Sequence, residues 1–235
     1  GIPGLLQTLA LNNYTKKLNV YGPRGTKRFM NELVKLFIPV SKIKLEVQEV
    51  EGTFFEQEDF VLVAKSLDHT VPVNGYTFKE KDTLKIKKEL LQKMMKKIKL
   101  EKSDGEKLGM LKKGKSITIQ GVKLDAKKLT YKELGKKISF IFDTGYCTNA
   151  VTLAKNADLA IIESTYAHEE ESLAREYKHL TAKQAATIAK KAHTKQLILT
   201  HISQRHEFHE SFLLQQAKKV FPATKIAEDF MRVEL

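Results

Sequence analysis

The chain has 235 residues, of which 42% are hydrophobic, and a formal net charge of +13 at pH 7. A chain of this length and apolar content can bury a substantial core, which excludes wholesale disorder, and no apolar run approaches the roughly 20 residues of a membrane span. The single cysteine, Cys147, excludes disulfides within the chain and cysteine-rich zinc modules, and it fits a reducing, cytoplasmic interior.

The predicted elements alternate between strands and helices. In chain order we expect a strand at 19–22, a helix at 25–37, strands at 44–51 and 60–67, a basic segment at 84–115, a hairpin at 116–124, a strand at 138–143, a helix at 149–157, a strand at 158–164, a helix at 181–193, a strand at 196–201 and a helix at about 207–219. The helix at 181–193 has the clearest start, because Thr181 can cap it and Gln184 can close a capping box. Such alternation indicates a layered α/β domain.

The basic segment 84–115 holds twelve lysines against four acidic residues. A short amphipathic helix with a basic outer face is predicted from the helical spacing of its apolar residues, which are Ile86, Leu90, Leu91, Met94, Met95 and Ile98. A loop is expected at 103–105. Clustered lysines favour a nucleic-acid partner, because each contact with a phosphate releases counterions. Two alternatives stay open: a basic helix can lie on an acidic membrane or in a partner groove, and lysine can be enriched by adaptation to heat.

Four residues that can hold a metal ion or a proton follow predicted strands. Asp143, Glu163 and His201 each end an apolar run, and His69 follows the strand at 60–67. Each has a structural alternative, since an aspartate often makes a turn, a glutamate can cap the next segment and a histidine can be a satisfied core residue. In α/β sheets, however, sites gather at the carboxyl ends of the strands, where two histidines and a carboxylate are suitable zinc ligands.

His179 lies beside the N-terminus of the capped helix. The helix dipole disfavours a protonated imidazole there, so His179 needs a neighbouring carboxylate to act as a proton donor near neutral pH. Glu163 is the candidate for that carboxylate. The alternative is a surface histidine at a helix start.

The remaining histidines are expected to be ordinary residues: His168 lies in a charged loop, His193 at a helix end, and His206 and His209 in an exposed turn. Cys147 lacks the histidine and aspartate pattern of a nucleophile and is expected to be a small buried residue. No phosphate-binding loop or dinucleotide fingerprint is present.

Seven segments resemble ribonuclease Z, a family of tRNA 3′-processing endonucleases with the metallo-β-lactamase fold. They are GIPGLLQTL (1–9), VYGPRGTKRFM (20–30), LDHTVPVNGYTF (67–78), FIFDTGYC (140–147), IIESTY (161–166), HLTAKQAATIA (179–189) and LILTHISQR (197–205). Their shared order and spacing is more specific than any one of them. The resemblance implies a single α/β domain over residues 1–235, an αββα sandwich of two mixed β-sheets flanked by helices, with the metal site at one edge and a protruding basic arm inserted at 84–115.

The resemblance implies a site with two zinc ions. His69 and His201 would each bind one ion, and Asp143 would bridge both. The family takes its remaining ligands from a His-x-His-x-Asp-His signature just before the Gly-x-Pro-Gly-Leu-Leu helix, and this sequence begins at that helix with Gly1. We expect the signature to lie upstream in the gene product; a degenerate relative is the alternative.

The implied reaction removes the 3′ trailer from precursor tRNA. The metal pair would activate water for attack on phosphorus, His179 would protonate the departing ribose 3′ oxygen, and Glu163 would support His179. The products would be a tRNA with a 3′-hydroxyl and a trailer with a 5′-phosphate.

The family's tRNA-gripping arm falls on the basic segment. The lysines expected to contact tRNA are Lys87, Lys88, Lys93, Lys96, Lys97, Lys99, Lys112 and Lys113. The family commonly forms a homodimer in which one subunit's arm holds tRNA for the other's site, so the expected partners are precursor tRNA and a second copy of the chain, with no membrane.

Three motifs depart from the family pattern. Gly105-Glu106 stands where Gly-Pro is frequent, His179-Leu180-Thr181 has leucine where serine is usual, and Ile162-Glu163-Ser164-Thr165 replaces His-Glu-Ala-Thr. Two alternative functions therefore stay open, a non-catalytic tRNA-binding relative and another hydrolase on the same fold. The lysine-rich segment argues against a hydrolase of small molecules, which has no use for such charge.

Overall fold

The computed structural model describes residues 1–37, 43–95 and 104–235 of the chain. These residues form two compact units, one made of residues 1–57, 61–79 and 137–235 and the other of residues 58–60 and 80–136. The second unit contains the basic segment 84–115 and extends beyond it at both ends.

The described elements follow the predicted alternation, with additional short strands. The helices are α1 (Ile2–Leu11), α2 (Thr26–Phe37), α3 (Lys88–Met95), α4 (Asp104–Lys112), α5 (Ala126–Leu129), α6 (Thr148–Ala154), α7 (Glu171–Glu176), α8 (Ala182–Lys191) and α9 (Glu210–Val220), with 3₁₀ turns at His168–Glu170 and Gln204–His206. The strands are β1 (Leu18–Gly22), β2 (Leu45–Glu49), β3 (Gly52–Glu56), β4 (Phe60–Ser66), β5 (Asn74–Glu80), β6 (Thr83–Ile86), β7 (Ile117–Ile119), β8 (Val122–Leu124), β9 (Thr130–Glu133), β10 (Lys137–Ile141), β11 (Leu159–Glu163), β12 (Gln196–Thr200) and β13 (Thr224–Ile226).

A seven-stranded mixed sheet organises the first unit, in the order β13-β12-β11-β10-β5-β4-β3. Strands β10, β11, β12 and β13 are parallel to one another. In contrast, β5 is antiparallel to β10, and β3 is antiparallel to β4. The main core packs α6, α8 and α9 onto this sheet through residues such as Ile141, Ile162, Ile188, Leu199 and Leu213, all fully or almost fully buried. The antiparallel strands rule out a doubly wound parallel sheet.

A second, smaller sheet pairs β1 with β2 in parallel. Because side chains alternate along a strand, its two faces contact different layers. Val20 packs with Leu6 of α1 and Met30 of α2, while the ring of Tyr21 lies 4.9 Å from that of Phe54 in β3. The layers therefore run helix, sheet, sheet, helix, as predicted, although the described part of the smaller sheet is purely parallel and not mixed.

Helix α8 confirms its predicted start. The Thr181 hydroxyl accepts a hydrogen bond from the Gln184 backbone N–H at 3.2 Å, and the Gln184 side chain accepts one from the Thr181 N–H at 3.0 Å. The side chains facing the sheet are small and fully buried, namely Ala182, Ala185, Ala186 and Ala189. Close packing of α8 on the sheet fixes the position of the chain just before it, where His179 lies.

The start of the basic segment differs from its prediction. Ile86 ends β6, which pairs antiparallel with β9, so the amphipathic helix begins only at Lys88. Pairing with a strand distant in sequence thus overrides the local helical period. The predicted helix end at Ile98 falls in residues 96–103, outside the described part of the chain.

The predicted loop at 103–105 is wrong at its two described residues. Asp104 and Gly105 begin α4, where an acidic residue in the first turn is favoured by the helix dipole. The carboxylate of the buried Asp104 also accepts a hydrogen bond from Lys107 Nζ at 3.1 Å. Leu91 and Met94 of α3 pack onto the core of this second unit, so the apolar face of α3 is a core face.

Within the described ranges, no helix combines the length and the apolar character that a bilayer crossing requires.

Candidate metal centre

The candidate site lies at the carboxyl ends of three neighbouring parallel strands. Strands β10, β11 and β12 pair side by side in parallel, so their ends meet at one edge of the sheet. Glu163 is the last residue of β11, His201 directly follows β12, and Asp143 lies two residues after β10. The sheet therefore brings together three residues separated by up to 58 positions in the sequence.

The backbone is unusual at both of the expected ligands in this group. Asp143 has a φ of 45° and His201 a φ of 55°, in the left-handed region that residues with a Cβ rarely adopt. Strained conformations of this kind cluster at functional sites, because the surrounding structure must hold them. Here they turn the chain sharply at the end of a buried strand.

Three side chains converge tightly enough to share a metal ion. One potential ligand atom from each of Asp143, His179 and His201 lies within 4.8 Å of the other two, and His201 Nε2 is 3.2 Å from Asp143 Oδ1. Two ligands of one tetrahedral zinc ion, each about 2.0–2.2 Å from it, lie about 3.3 Å apart. The pair formed by His201 and Asp143 fits that spacing.

The carboxylate of Glu163 is fully buried and organises the surrounding groups. Its Oε1 accepts hydrogen bonds from the Thr144 N–H at 2.6 Å and from His179 Nδ1 at 2.8 Å. Its Oε2 accepts from the Thr165 hydroxyl at 2.7 Å and from the Leu180 N–H at 3.0 Å. A buried carboxylate is tolerated only when its oxygens are satisfied in this way, so Glu163 is the anchor of the site.

The hydrogen bonds settle which nitrogen of each histidine faces the cluster. Nδ1 of His179 donates to Glu163, Nδ1 of His69 donates to the Lys178 carbonyl at 3.1 Å, and Nδ1 of His201 lies 2.9 Å from the Thr165 hydroxyl. An imidazole with Nδ1 occupied presents Nε2 to a metal or a substrate, and this outer bond is usual for zinc-binding histidines. The donor set therefore fits zinc.

His69 lies beside the cluster and outside the group of three. Its ring centroid is 5.0 Å from that of His179. Its loop is held by Asp68, whose carboxylate pairs with Lys178 Nζ at 2.8 Å and whose carbonyl accepts from the Gly145 N–H at 2.7 Å. The structure thus brings all of the predicted site residues at the sheet edge together, with His179, and not His69, nearest to Asp143 and His201. The role of His69 as a metal ligand stays a prediction.

Two residues outside this cluster depart from their predictions. His206 is largely buried and not exposed, because its Nε2 bonds to Glu170 Oε2 at 2.7 Å. Cys147 is half-buried at the start of α6 and not fully buried. His209 is exposed, as expected, His193 lies just after the end of α8, as expected, and His168 contacts Lys183 Nζ at 2.9 Å.

Two residues that hold side chains of the site in place were not predicted from the sequence. Thr165 links Glu163 to His201 through its hydroxyl, and Lys178 orients His69 through its backbone carbonyl. Thr165 stands two positions after Glu163, which places both side chains on one side of an extended segment, but nothing local indicates that it reaches the end of β12. A backbone carbonyl has no sequence signal at all.

Known proteins of similar sequence share one family. A family model described as "Beta-lactamase superfamily domain" matches residues 118–202. Ribonuclease Z of Anoxybacillus flavithermus is 36% identical over 234 residues, covering 98% of this chain and 73% of that protein. Ribonuclease Z of Bacillus mycoides is 38% identical over 238 residues, covering 97% of this chain and 75% of that protein.

Solved structures show the same fold. The short form of human tRNase Z aligns with a TM-score of 0.60 at 24% identity, covering 98% of this chain and 72% of that one. The metallo-β-lactamase fold protein YhfI from Bacillus subtilis aligns with a TM-score of 0.60 at 18% identity, covering 96% of this chain and 68% of that one. The predicted metallo-β-lactamase architecture is confirmed. With these sequence identities extending over nearly all of its residues, the chain belongs to the ribonuclease Z family.

Proposed function

We propose that this protein is the zinc-dependent endoribonuclease that removes the 3′ trailer from precursor tRNA. Membership of the ribonuclease Z family supports the reaction. The observation that carries the proposal is the convergence of Asp143, His179 and His201 within 4.8 Å around a buried glutamate, because this arrangement combines metal ligands with a proton donor.

Asp143, His201 and His69 are the residues of this chain that would hold zinc. Zinc bound there supplies a nucleophile from water at neutral pH and polarises the phosphate. Since each zinc ion takes about four ligands, three donors are too few for two ions. Our proposal therefore includes further ligands from residues that are not in this sequence.

His179 is the proposed proton donor. Its Nδ1–H is fixed on Glu163 Oε1 at 2.8 Å, which leaves Nε2 to carry the proton that the departing ribose 3′ oxygen needs. The same bond orients the ring, as the carboxylate partner of a histidine does in hydrolases.

The test is cleavage of a precursor tRNA by the full gene product. We expect products that end in a 3′-hydroxyl on the tRNA and begin with a 5′-phosphate on the trailer. Treatment with EDTA is expected to abolish cleavage, and added zinc to restore it, because the donor set of the site has no catalytic power without a metal ion. Cleavage that resists EDTA would contradict the proposed mechanism, and tRNA binding without cleavage in excess zinc would indicate the non-catalytic relative.

The second unit is the proposed tRNA-binding surface. Its support is charge: the segment 84–115 holds twelve lysines against four acidic residues. Five of the lysines expected to contact tRNA are described and exposed, namely Lys87, Lys88, Lys93, Lys112 and Lys113. Lys96, Lys97 and Lys99 lie outside the described residues.

Reversing charge on α3 and its start is expected to weaken tRNA binding. In the triple variant Lys87→Glu, Lys88→Glu, Lys93→Glu, we expect the Kd for precursor tRNA to rise about 10- to 100-fold at 0.15 M salt, and the slope of log Kd against log salt to fall by about 2. A filter-binding titration at several salt concentrations measures both.

A matched triple variant controls for net charge. Lys16, Lys155 and Lys190 are exposed lysines of the first unit, and their reversal changes the total charge equally. We expect a change in Kd of about threefold or less, because unspecific attraction is screened over about 8 Å at 0.15 M salt. Equal effects of the two triple variants would argue against a dedicated surface on the second unit.

A homodimer completes the proposal, with the basic unit of one subunit serving the site of the other. Exposed apolar side chains on α1 and α2, including Leu11 and Leu36 at 83% and 78% exposure, support a contact with another protein surface. The proposed location is the cytoplasm. Analytical ultracentrifugation of the full gene product tests the dimer.

A further inference from the structure

The Thr165 hydroxyl bridges the buried Glu163 and the exposed side of the site. It lies 2.7 Å from Glu163 Oε2 and 2.9 Å from His201 Nδ1. We propose that Thr165 is a positioning residue that locks His201 in the Nδ1–H tautomer and aims its Nε2 at the metal. The role concerns the geometry of His201, and Thr165 itself does not touch substrate.

The direction of each hydrogen bond follows from counting protons. A threonine hydroxyl has one proton to donate and can also accept. Glu163 already accepts from three backbone N–H groups and from His179, so it is an acceptor, and the Thr165 hydroxyl must donate to it. The hydroxyl can then only accept from His201, which requires a proton on Nδ1. Nε2, which faces Asp143 Oδ1 at 3.2 Å, is then the nitrogen left to bind the metal.

The other contacts of the His201 ring are stacking on the His179 ring, with centroids 5.3 Å apart, and the approach of Asp143 Oδ1 to Nε2 at 3.2 Å, and neither of them holds Nδ1. The side chain of His201 is 48% exposed, and its backbone is in the left-handed region with a φ of 55°. Thr165, by contrast, is 7% exposed and is fixed by the carboxylate of Glu163. The only polar side chains bonded to the His201 ring among the described residues are Thr165 and Asp143.

The segment around Thr165 also holds the backbone on which His201 is mounted. The Ser203 N–H donates to the Thr165 carbonyl at 3.1 Å, and the Ser164 N–H donates to the Thr200 carbonyl at 2.9 Å. Both ends of the turn that carries His201 are therefore tied to the end of β11. The backbone of Thr165 thus helps to hold the turn, and its side chain holds the ring of His201.

One carboxylate consequently serves both histidines. Oε1 of Glu163 orients His179 directly, and Oε2 orients His201 through Thr165. The proposed proton donor and a proposed metal ligand are thus held by opposite oxygens of the same buried group. Removal of the Thr165 hydroxyl should disturb the second arm and leave the first in place.

The direct test is the tautomer of His201 in EDTA-treated protein. We expect ¹⁵N NMR to show the proton on Nδ1 in the natural protein and in Thr165→Ser, which keeps the hydroxyl. In Thr165→Val, which has nearly the same shape without a hydroxyl, partial loss of the Nδ1 proton is expected, because Nδ1 loses its partner while Nε2 still faces Asp143 Oδ1. The His201 signals are those missing from His201→Asn, and the tautomer of His179 should not change.

Zinc affinity of the full gene product is the second readout. We expect Thr165→Val to weaken zinc binding about 10- to 100-fold in competition with a chromophoric chelator, because an outer-shell partner of a ligand is lost. Thr165→Ser should stay within about threefold, because it keeps that partner. This readout alone rests on the proposed function, whereas the tautomer is measured without metal or substrate, so failure of one is distinguishable from failure of the other.

A threonine elsewhere provides the control. Thr187 of α8 donates its hydroxyl to the Lys183 carbonyl at 2.7 Å, and Thr187→Val should change neither readout. Should Thr165→Val fail to fold, Thr165→Ala is measured in its place. An unchanged His201 tautomer in the folded variant without a hydroxyl, or weakened zinc binding in Thr165→Ser, would overturn the proposal.

Discussion

Replacement of Asp143 by alanine is expected to lower kcat for precursor-tRNA cleavage by at least about 10³-fold. Asp143 supplies the only carboxylate in the cluster of three donors found among the described residues. Asp143 Oδ1 lies 3.2 Å from His201 Nε2, so loss of the Asp143 side chain removes one of the proposed metal ligands. Single-turnover cleavage of a labelled precursor tRNA measures the effect.

Binding of tRNA should survive the same change. The proposed contacts with phosphate lie on lysines of the second unit, so the Kd of Asp143→Ala for precursor tRNA should stay within about threefold of the natural value. The exposed Asp229 of the first unit offers a matched control, and Asp229→Ala should keep both cleavage and binding. Cleavage retained in Asp143→Ala would reject its assignment as a metal ligand.

Replacement of Glu163 by glutamine is expected to damage both stability and catalysis, although the two side chains have the same shape. Every hydrogen bond of the carboxylate is with a donor: the N–H groups of Thr144, Thr165 and Leu180, His179 Nδ1 and the Thr165 hydroxyl. The amide NH₂ of glutamine has to face two of these donors, which leaves buried groups unpaired. Loss of charge-assisted bonds in a buried site costs about 3 kcal/mol, or about 6–12 °C in Tm for a domain of this size.

Catalysis should fall further than stability alone explains. In Glu163→Gln both His179 and His201 lose the charge that orients them, so we expect kcat at a temperature well below Tm to fall about 100-fold or more. Calorimetry and cleavage assays on the same preparation separate the two effects. Glu176 is exposed at the end of α7, and Glu176→Gln should leave Tm and kcat unchanged. An unchanged Tm in Glu163→Gln would show that the buried network does not form as described.

The sequence predicted the main elements because their signals are local. The apolar runs of β10, β11 and β12 and the capping box of α8 each depend on residues a few positions apart. Strands β3, β5, β6, β9 and β13 were not predicted. Most of them are short segments such as Thr224–Ile226, and β5 is longer but pairs with β10, about 60 residues away in the sequence. Pairing between distant strands leaves little trace in one sequence.

The candidate site shows the same difference between features with local signals and features that depend on distant contacts. The sequence alone determined which residues could do the chemistry, since Asp143, Glu163 and His201 stand where buried strands end and His179 stands at a helix start. Only the tertiary structure decided their arrangement: that His179 forms the group of three with Asp143 and His201, and that Thr165 joins Glu163 to His201. The physical reason is that residue type and local period are written along the chain, whereas hydrogen bonds between the ends of different strands exist only after the strands have paired.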